Sequence, residues 1–216
     1  MRKGLFITFE GNDGCGKTTI STKVYESLKE KGEPVVYTRE PGGNDIAEQI
    51  RAVILDPNNT AMDARTEALL YAASRRQHLT EKILPALAEG KIVLCDRFID
   101  SSLAYQGIGR GIGMDEVLQI NEFAIENHMP DATIFLSVSL ETGWKRVSQR
   151  GQLDRLDQES REFHQRVAEG YEQVKARFAQ RMIVIDAEAD METVFAQALH
   201  HTEEIINKYD KTTACS

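Results

Sequence analysis

One stretch decides the fold of this chain, the octapeptide Gly11-Asn12-Asp13-Gly14-Cys15-Gly16-Lys17-Thr18. It matches the pattern G-x-x-x-x-G-K-[ST], and it stands directly between an apolar run at residues 5–10 and a helical pattern at residues 17–31. In that context glycines let backbone N–H groups point at phosphate oxygens, and the helix N-terminus adds positive partial charge. The lysine reaches the β- and γ-phosphates, and the threonine hydroxyl binds Mg²⁺. The octapeptide therefore predicts a nucleoside triphosphate site that uses Mg²⁺.

Apolar runs alternate with helical patterns along the rest of the chain. Further strands are predicted at residues 35–38, 91–96, 132–138 and 182–186, and further helices at 45–55, 64–89, 114–126, 141–150, 162–178 and 191–209. Apolar runs without polar alternation are typical of strands buried on both faces of a parallel sheet. Five such strands predict an α/β fold, a doubly wound parallel sheet with helices on both faces and ligands at the carboxyl edge of the strands.

The length of 216 residues favours a single domain over residues 1–216, since domains commonly hold about 150 residues. A polar, charged stretch at about 150–160 lies between two helical patterns and predicts a mobile lid. Pro85 is expected to kink or cap the last turn of the helix at 64–89, and residues 211–216 are expected to fray.

Charge and composition exclude two classes of protein. The formal net charge is −8, whereas proteins that bind nucleic acid regardless of sequence need a basic surface. The apolar runs are far shorter than the roughly 18 residues that a membrane span requires. We therefore expect neither nucleic acid nor a membrane as a partner.

The cysteines point to a reducing compartment. Cys15, Cys95 and Cys215 form no C-x-x-C motif, and an odd count suits free thiols better than a disulfide framework. The expected location is the cytoplasm. Cys15 stands at the mouth of a helix N-terminus, where the helix dipole is expected to favour its thiolate.

Charged residues follow two of the predicted strands. Asp96-Arg97-Phe98 ends one, where an acid can help to hold Mg²⁺ and an arginine can bind phosphate; a strand-end ion pair is the alternative. Arg39 ends the other and is either a phosphate ligand or part of a local salt bridge. Residues 207–210 spell the guanine-reading motif N-K-x-D of GTPases, but no strand leads into them, so they do not indicate a GTPase.

These residues resemble a known family, the thymidylate kinases. The matching blocks are F-E-G-N-D-G-C-G-K-T-T at 9–19, T-R-E-P-G-G at 38–43, Y-A-A-S-R at 71–75, D-R-F-I-D-S-S-L-A-Y-Q-G at 96–107 and a lid-like stretch at 150–157. The resemblance extends from about residue 4 to residue 208. The second and fourth blocks together are far more specific than the phosphate loop alone.

The resemblance implies the P-loop kinase fold with strand order 2-3-1-4-5, and it implies a homodimer. The implied reaction is transfer of a phosphoryl group from ATP to dTMP, with Mg²⁺, to give dTDP and ADP. Because the second pKa of a phosphomonoester is near 6, the acceptor is already mostly dianionic and no general base is needed. The chemical problem is the repulsion between two polyanions.

The same resemblance assigns site residues. The expected ATP ligands are Gly11, Asn12, Asp13, Gly14, Cys15, Gly16, Lys17, Thr18 and Thr19. Around dTMP, the expected ligands of the acceptor phosphate are Arg39, Arg51 and Arg97, with Tyr71 stacked on thymine, Arg75, Ser102 and Gln106 at its polar edge, and Tyr105 against the 2′ position. The expected metal ligands are Thr18 and Asp96, and the expected catalytic residues are Lys17, Asp13, Arg97, Arg150 and Arg155. Independently of the resemblance, Tyr71 and Arg75 are four residues apart on one predicted helix, so they can approach the same ligand.

The chain departs from the family pattern at one position that bears on catalysis. Some members carry an arginine where Gly14 stands, and that arginine brings a guanidinium to the phosphates from the loop itself. This chain instead carries Arg150 and Arg155 in the predicted lid, so it resembles the bacterial lid-arginine subtype. Between the two, Arg155 is the first choice and Arg150 the second.

Two alternatives stay open at this point. A broader pyrimidine nucleoside-monophosphate kinase or deoxynucleoside kinase would share the fold and most of the motifs. A nucleotide-dependent switch protein would share only the phosphate loop, and it would hydrolyse or exchange nucleotide without an acceptor.

Overall fold

The structure is a computed structural model that describes residues 4–149 and 154–214. Its strands form one parallel sheet in the order β2-β3-β1-β4-β5. The strands are β1 (Leu5–Glu10), β2 (Val35–Arg39), β3 (Ile92–Asp96), β4 (Ala132–Ser137) and β5 (Met182–Asp186). The predicted fold class and strand order are confirmed, and each predicted strand ends within one residue of its observed end.

Helices cover both faces of the sheet. They are α1 (Lys17–Glu30), α2 (Asp45–Leu55), α3 (Ala64–His78), α4 (Leu84–Ala88), α5 (Ile99–Ser102), α6 (Met114–Ile125), α7 (Leu140–Ser148), α8 (Arg161–Arg177) and α9 (Met191–Ala214). Side-chain oxygens of Asn44, Asp63, Ser139 and Ser160 accept hydrogen bonds from first-turn N–H groups, which explains where four of these helices begin. Along the described ranges, no helix combines the length and apolar character that a bilayer span needs.

Three details differ from the sequence-based predictions. The helix predicted at 64–89 widens into a π-helical segment, Leu79–Ile83, and Pro85 lies in the first turn of the helix that follows, where its ring is tolerated. A helix that sequence reasoning missed, α5 with its π-helical continuation Leu103–Gly109, follows β3, because its glycines and serines give no helical apolar period. The expected frayed tail is wrong for residues 211–214, which continue α9.

The sheet is the centre of two apolar layers. One layer lies on the side of α1 and α9, and it contains Leu5, Ile7 and Phe9 of β1. The other layer lies on the opposite side, where Phe6 packs with side chains of α5 and of the first π-helical segment, Leu79–Ile83. Register then sets the position of the site: Phe9 and Arg39 are both paired with Asp96. The carboxyl ends of β1, β2 and β3 therefore lie side by side, at the point where β1 leads into the octapeptide at residues 11–18.

Candidate active site

A cavity of about 190 Å³ opens at this carboxyl edge of the sheet. The predicted site residues that line it are Asp13, Lys17, Thr18, Arg39, Arg51, Tyr71, Asp96, Arg97, Tyr105 and Gln106. Arg75, Ser102 and Arg155 do not line it. Residues that are more than 100 positions apart in the sequence, Lys17 and Leu156 among them, thus share one cavity.

The phosphate loop wraps the start of α1. Gly16 is the residue before the helix and has a φ of 88°, a left-handed conformation that favours glycine. Gly11 and Gly14 also have positive φ values, and the Lys17 side chain is nearly buried. Thr19, in contrast, is exposed, on the first turn of α1.

A backbone contact holds the loop against α7. A Cβ atom on Gly14 would lie 2.8 Å from the Cα atom of Gly143, and a Cβ atom on Gly143 would lie 2.6 Å from the carbonyl oxygen of Asp13. Both distances are shorter than real Cβ atoms tolerate, so each glycine is required by the other element's backbone. Position 14 has no room for an arginine side chain while α7 lies here.

Asp13 and Arg97 form the central ion pair of the site. Asp13 Oδ1 accepts from Arg97 Nη2, Asp13 Oδ2 accepts from the Tyr105 hydroxyl at 2.5 Å, and Lys17 Nζ lies 3.6 Å from Oδ1. Burial alone would raise the pKa of Asp13, but the charges of Arg97 and Lys17 hold it well below its usual range. Asp13 is therefore an anion that positions cations and the Tyr105 hydroxyl.

Arg97 adopts a conformation that is uncommon outside glycine, with a φ of 69°. Its Nη1 atom donates to Ser101 Oγ at 3.0 Å and to the Tyr171 hydroxyl at 3.2 Å, and its backbone N–H donates to the Phe9 carbonyl at 2.9 Å. Strained residues of this kind persist where the surroundings fix them, and they cluster at functional sites.

Glu10 supports the turn that carries Arg97. Its Oε1 atom accepts from the backbone N–H groups of Phe98 (2.7 Å) and Ser101 (3.2 Å), and its Oε2 atom accepts from Ser101 Oγ at 2.6 Å. Burial and the nearby charge of Asp100 raise the pKa of Glu10 to about 7, although Arg97 and these hydrogen bonds oppose the rise. Sequence reasoning quoted Glu10 within a motif but gave it no role; its only signal was an acid at the end of a buried apolar strand.

Thr18 and Asp96, the two predicted metal ligands, are in contact with each other. Thr18 Oγ1 donates to Asp96 Oδ2 at 2.5 Å, and Asp96 Oδ1 is buried with no hydrogen-bond partner among the described residues. Within the same residues, no three His, Cys, Asp or Glu side chains form a metal-binding cluster. A hydroxyl and one carboxylate suit Mg²⁺ that takes its other ligands from phosphate and water.

Arg39 and Arg51 converge on one backbone oxygen. Both guanidinium groups donate to the carbonyl of Pro41, at 2.9 Å and 2.8 Å respectively. Arg39 also pairs with Glu48 at 3.0 Å. Burial and the charge of Arg39 lower the pKa of Arg51. Two neighbouring cations on the cavity wall can bind an anion of high charge.

Arg75 is fully buried and its bonds are to the protein itself. Nε donates to Glu40 at 2.8 Å, Nη2 donates to the carbonyl oxygen of Phe98 at 3.0 Å, and Nη1 donates to Ser102 Oγ at 3.1 Å and to the amide oxygen of Asn121. These bonds use four of the five N–H groups of a guanidinium. One Nη2 N–H remains, and Arg75 does not line the cavity.

Arg155, the lid arginine preferred from the sequence, also forms hydrogen bonds within the protein. Arg155 Nη2 donates to Glu67 at 2.5 Å, and Nε donates to the carbonyl oxygen of Ile54 at 2.8 Å. Gln106 Nε2 donates to the same Glu67 side chain at 2.9 Å. Arg150 lies outside the described residues. Sequence reasoning missed Glu67, because a glutamate in the first turn of a helix is usually an exposed residue.

Cys15 does not have the activated thiol that was expected. The side chain is 3% exposed, and burial raises the pKa of its thiol although Lys17 opposes the rise. Desolvation of the thiolate outweighs the nearby positive charges and the backbone hydrogen bond from Lys17 at the start of α1. The helix-dipole expectation is therefore wrong.

Comparison with known proteins gives one consistent result. The family profile described as thymidylate kinase matches residues 9–198. A thymidylate kinase of Bacillus velezensis is 58% identical over 207 residues, which are 95% of this chain and 98% of that protein. A thymidylate kinase of Clostridium novyi is 54% identical over 199 residues, which are 91% of this chain and 97% of that protein. The crystal structure of a thymidylate kinase from Ehrlichia chaffeensis aligns with a TM-score of 0.75 at 34% identity, covering 93% of this chain and 99% of that chain.

We expect Cys15 to resist thiol reagents in the native protein, because its sulfur is buried and mostly protonated at pH 7. Site-resolved mass spectrometry after treatment with a bulky maleimide should show labelling at least about tenfold slower than in urea-unfolded protein. Fast native labelling that ATP prevents would contradict this expectation and restore the helix-dipole argument.

Proposed function

The chain belongs to the thymidylate kinase family, and we propose how its residues divide the work of transferring the γ-phosphoryl group of ATP to dTMP. The products are dTDP and ADP. The observation that carries this assignment is the cavity in which the phosphate loop, Arg39, Arg51 and Arg97 meet at one sheet edge.

The cations offset the repulsion between the two nucleotides. Lys17 binds the β- and γ-phosphates of ATP from the loop, and Arg97 lies between the loop and the acceptor. Arg39 and Arg51 bind the acceptor phosphate in place of the Pro41 carbonyl. Asp13 is too acidic to serve as a base at neutral pH, and its role is to hold Arg97 and Lys17.

Thr18 and Asp96 would hold Mg²⁺, which neutralises phosphate charge when it is bound with ATP. The unpartnered Asp96 Oδ1 atom supports this assignment.

The base pocket is formed by residues of α3 and of the segment after β3. Tyr71 stacks on thymine and Gln106 addresses its polar edge, and the remaining Arg75 N–H reaches that edge once the cavity wall in front of Arg75 moves, because Arg75 does not line the cavity in this structure. Arg75 donates hydrogen bonds only, which suits the O4 acceptor of thymine and opposes the 4-amino group of cytosine. Tyr105 lies against the 2′ carbon of the sugar.

We propose that residues 1–216 form one domain in which the lid at about 150–160 supplies the catalytic guanidinium. The bonds of Arg155 to Glu67 and Ile54 favour Arg150 for this role, with Arg155 anchoring the lid. Arg155 was the first choice from the sequence, and these bonds reverse that order.

We also propose that the enzyme is a cytoplasmic homodimer. Exposed apolar side chains lie on three adjoining helices: Ile46 and Val53 on α2, Leu69 on α3 and Phe123 on α6. Phe123 is 89% exposed. Large apolar side chains exposed on neighbouring helices are typical of an interface, and a second copy of the chain would cover them.

A nucleotide panel tests the activity. In a coupled assay of ADP release, dTMP and dUMP should be substrates, dCMP should have a kcat/KM lower by about a hundredfold, and UMP should be worse than dUMP. Equal use of dCMP and dTMP would support the broader pyrimidine kinase instead. ADP release without any acceptor would support the switch protein.

Single lid substitutions test the source of the catalytic charge. We expect Arg150→Ala to lower kcat by about a thousandfold with little change in the KM for dTMP. Arg155→Ala should lower kcat less and raise the KM for dTMP, because it releases the lid from Glu67. A larger loss of kcat in Arg155→Ala than in Arg150→Ala would show that Arg155 is the catalytic arginine.

Light scattering tests the dimer. The wild type should have the mass of two chains, and Phe123→Asp should have the mass of one, because a buried unpaired carboxylate is costly at an interface. Met191→Asp, at an exposed apolar residue of α9, is the matched control and should leave the mass unchanged. A monomeric wild type would rule the proposal out.

A further inference from the structure

A buried carboxylate lies directly behind the base pocket. Glu67 is 0% exposed, and its two oxygens accept hydrogen bonds from three side chains. Gln106 Nε2 donates at 2.9 Å, Arg110 donates through Nε and Nη2 at 3.1 Å and 2.9 Å, and Arg155 Nη2 donates at 2.5 Å. Arg110 in turn pairs with Glu159 at 2.6 Å.

An ionised carboxylate can only accept hydrogen bonds, so every neighbour must present a donor to it. Burial would raise the pKa of Glu67, but the hydrogen bonds from Arg110, Gln106 and Arg155 and the charge of Arg110 lower it overall. Glu67 is thus an anion at neutral pH. The amide of Gln106 has one donor end and one acceptor end, and only the donor end can face Glu67.

Gln106 is the member of this group that also lines the substrate cavity, together with Tyr71 and Tyr105. Its amide is planar and its Nε2 end is bound to Glu67. The carbonyl oxygen is therefore the end that remains for a ligand in the cavity.

We propose that Glu67 is a specificity-determining residue that acts through Gln106. By fixing the amide, it presents an acceptor to position 3 of the pyrimidine ring and selects bases that carry an N–H there. Thymine and uracil carry this N–H, whereas N3 of cytosine is itself an acceptor and would face the Gln106 oxygen with no proton between them. The proposal rests on the proposed function, since it assumes a pyrimidine monophosphate in this cavity.

The negative charge of Glu67 strengthens the selection of thymine over cytosine. A neutral glutamine at position 67 could turn either its oxygen or its amino group toward Gln106, and Gln106 could then turn its own amide to suit either base. A site rejects the wrong substrate most strongly when its buried polar groups cannot re-pair. A carboxylate at position 67 removes that freedom.

The decisive variant is Glu67→Gln, which preserves shape and removes the charge. We expect the ratio of kcat/KM for dTMP to that for dCMP to fall at least about tenfold, with the KM for ATP unchanged. The control is Glu159→Gln, which removes an ion pair from the same Arg110 side chain without touching Gln106, and it should keep the wild-type ratio. A folded, active Glu67→Gln enzyme with the wild-type ratio would overturn the proposal.

A second measurement does not depend on the folding or activity of that variant. N3-Methyl-dUMP has N–CH3 in place of the N–H at position 3 and keeps both carbonyl groups of dUMP. The wild type should prefer dUMP over this analogue by about tenfold or more in kcat/KM, and Gln106→Ala, which removes the acceptor and makes room for the methyl group, should lose the preference. Equal use of the two nucleotides by the wild type would show that Gln106 presents no acceptor to position 3.

The failure of this inference is distinct from the failure of the proposed function. If the wild type releases no ADP with any pyrimidine monophosphate, the proposed function is wrong, and the inference falls with it. If the wild type uses dTMP but the two comparisons above show no effect, only the role of Glu67 is wrong.

Discussion

The ion pair between Asp13 and Arg97 is the interaction on which the rest of the site depends. It joins the phosphate loop to the residue that follows β3, so these two sides of the cavity are fixed to each other. Arg97 can accept its left-handed backbone because Glu10 holds the N–H groups that come next. A cation held in this way would lose little entropy on binding a phosphate, which is the advantage of preorganisation.

Charge balance follows from the same principle. In the described residues Arg97 and Lys17 form ion pairs with Asp13, and Arg39 forms one with Glu48. These carboxylates allow several cations to lie close together in the site. Isolated cations at this spacing would repel one another, and their desolvation would be costly. Phosphate oxygens then compete for donors that are already in place.

The octapeptide and the residues at the strand ends made much of the fold and of the phosphate-binding side of the site predictable from the sequence. The loop geometry, the sheet and the meeting of Asp96 with Arg39 follow from local pattern and from the rule that parallel strands end at one edge. The partners of Glu67 and Arg155 did not follow, because each lies 39 to 101 positions away in the sequence and no local pattern encodes such pairs. Whether a buried acid carries a charge or a proton depends on distant neighbours of this kind, as Glu10 and Asp13 illustrate.

The contact between Gly14 and Gly143 constrains how such a chain can change during evolution. Because the backbones of the loop and of α7 touch, a side chain at either position requires α7 to lie elsewhere. An arginine at position 14 would therefore need more than one substitution, because α7 would have to be repacked before the new side chain could fit. A chain that acquired the arginine first would have a distorted phosphate loop until the helix moved.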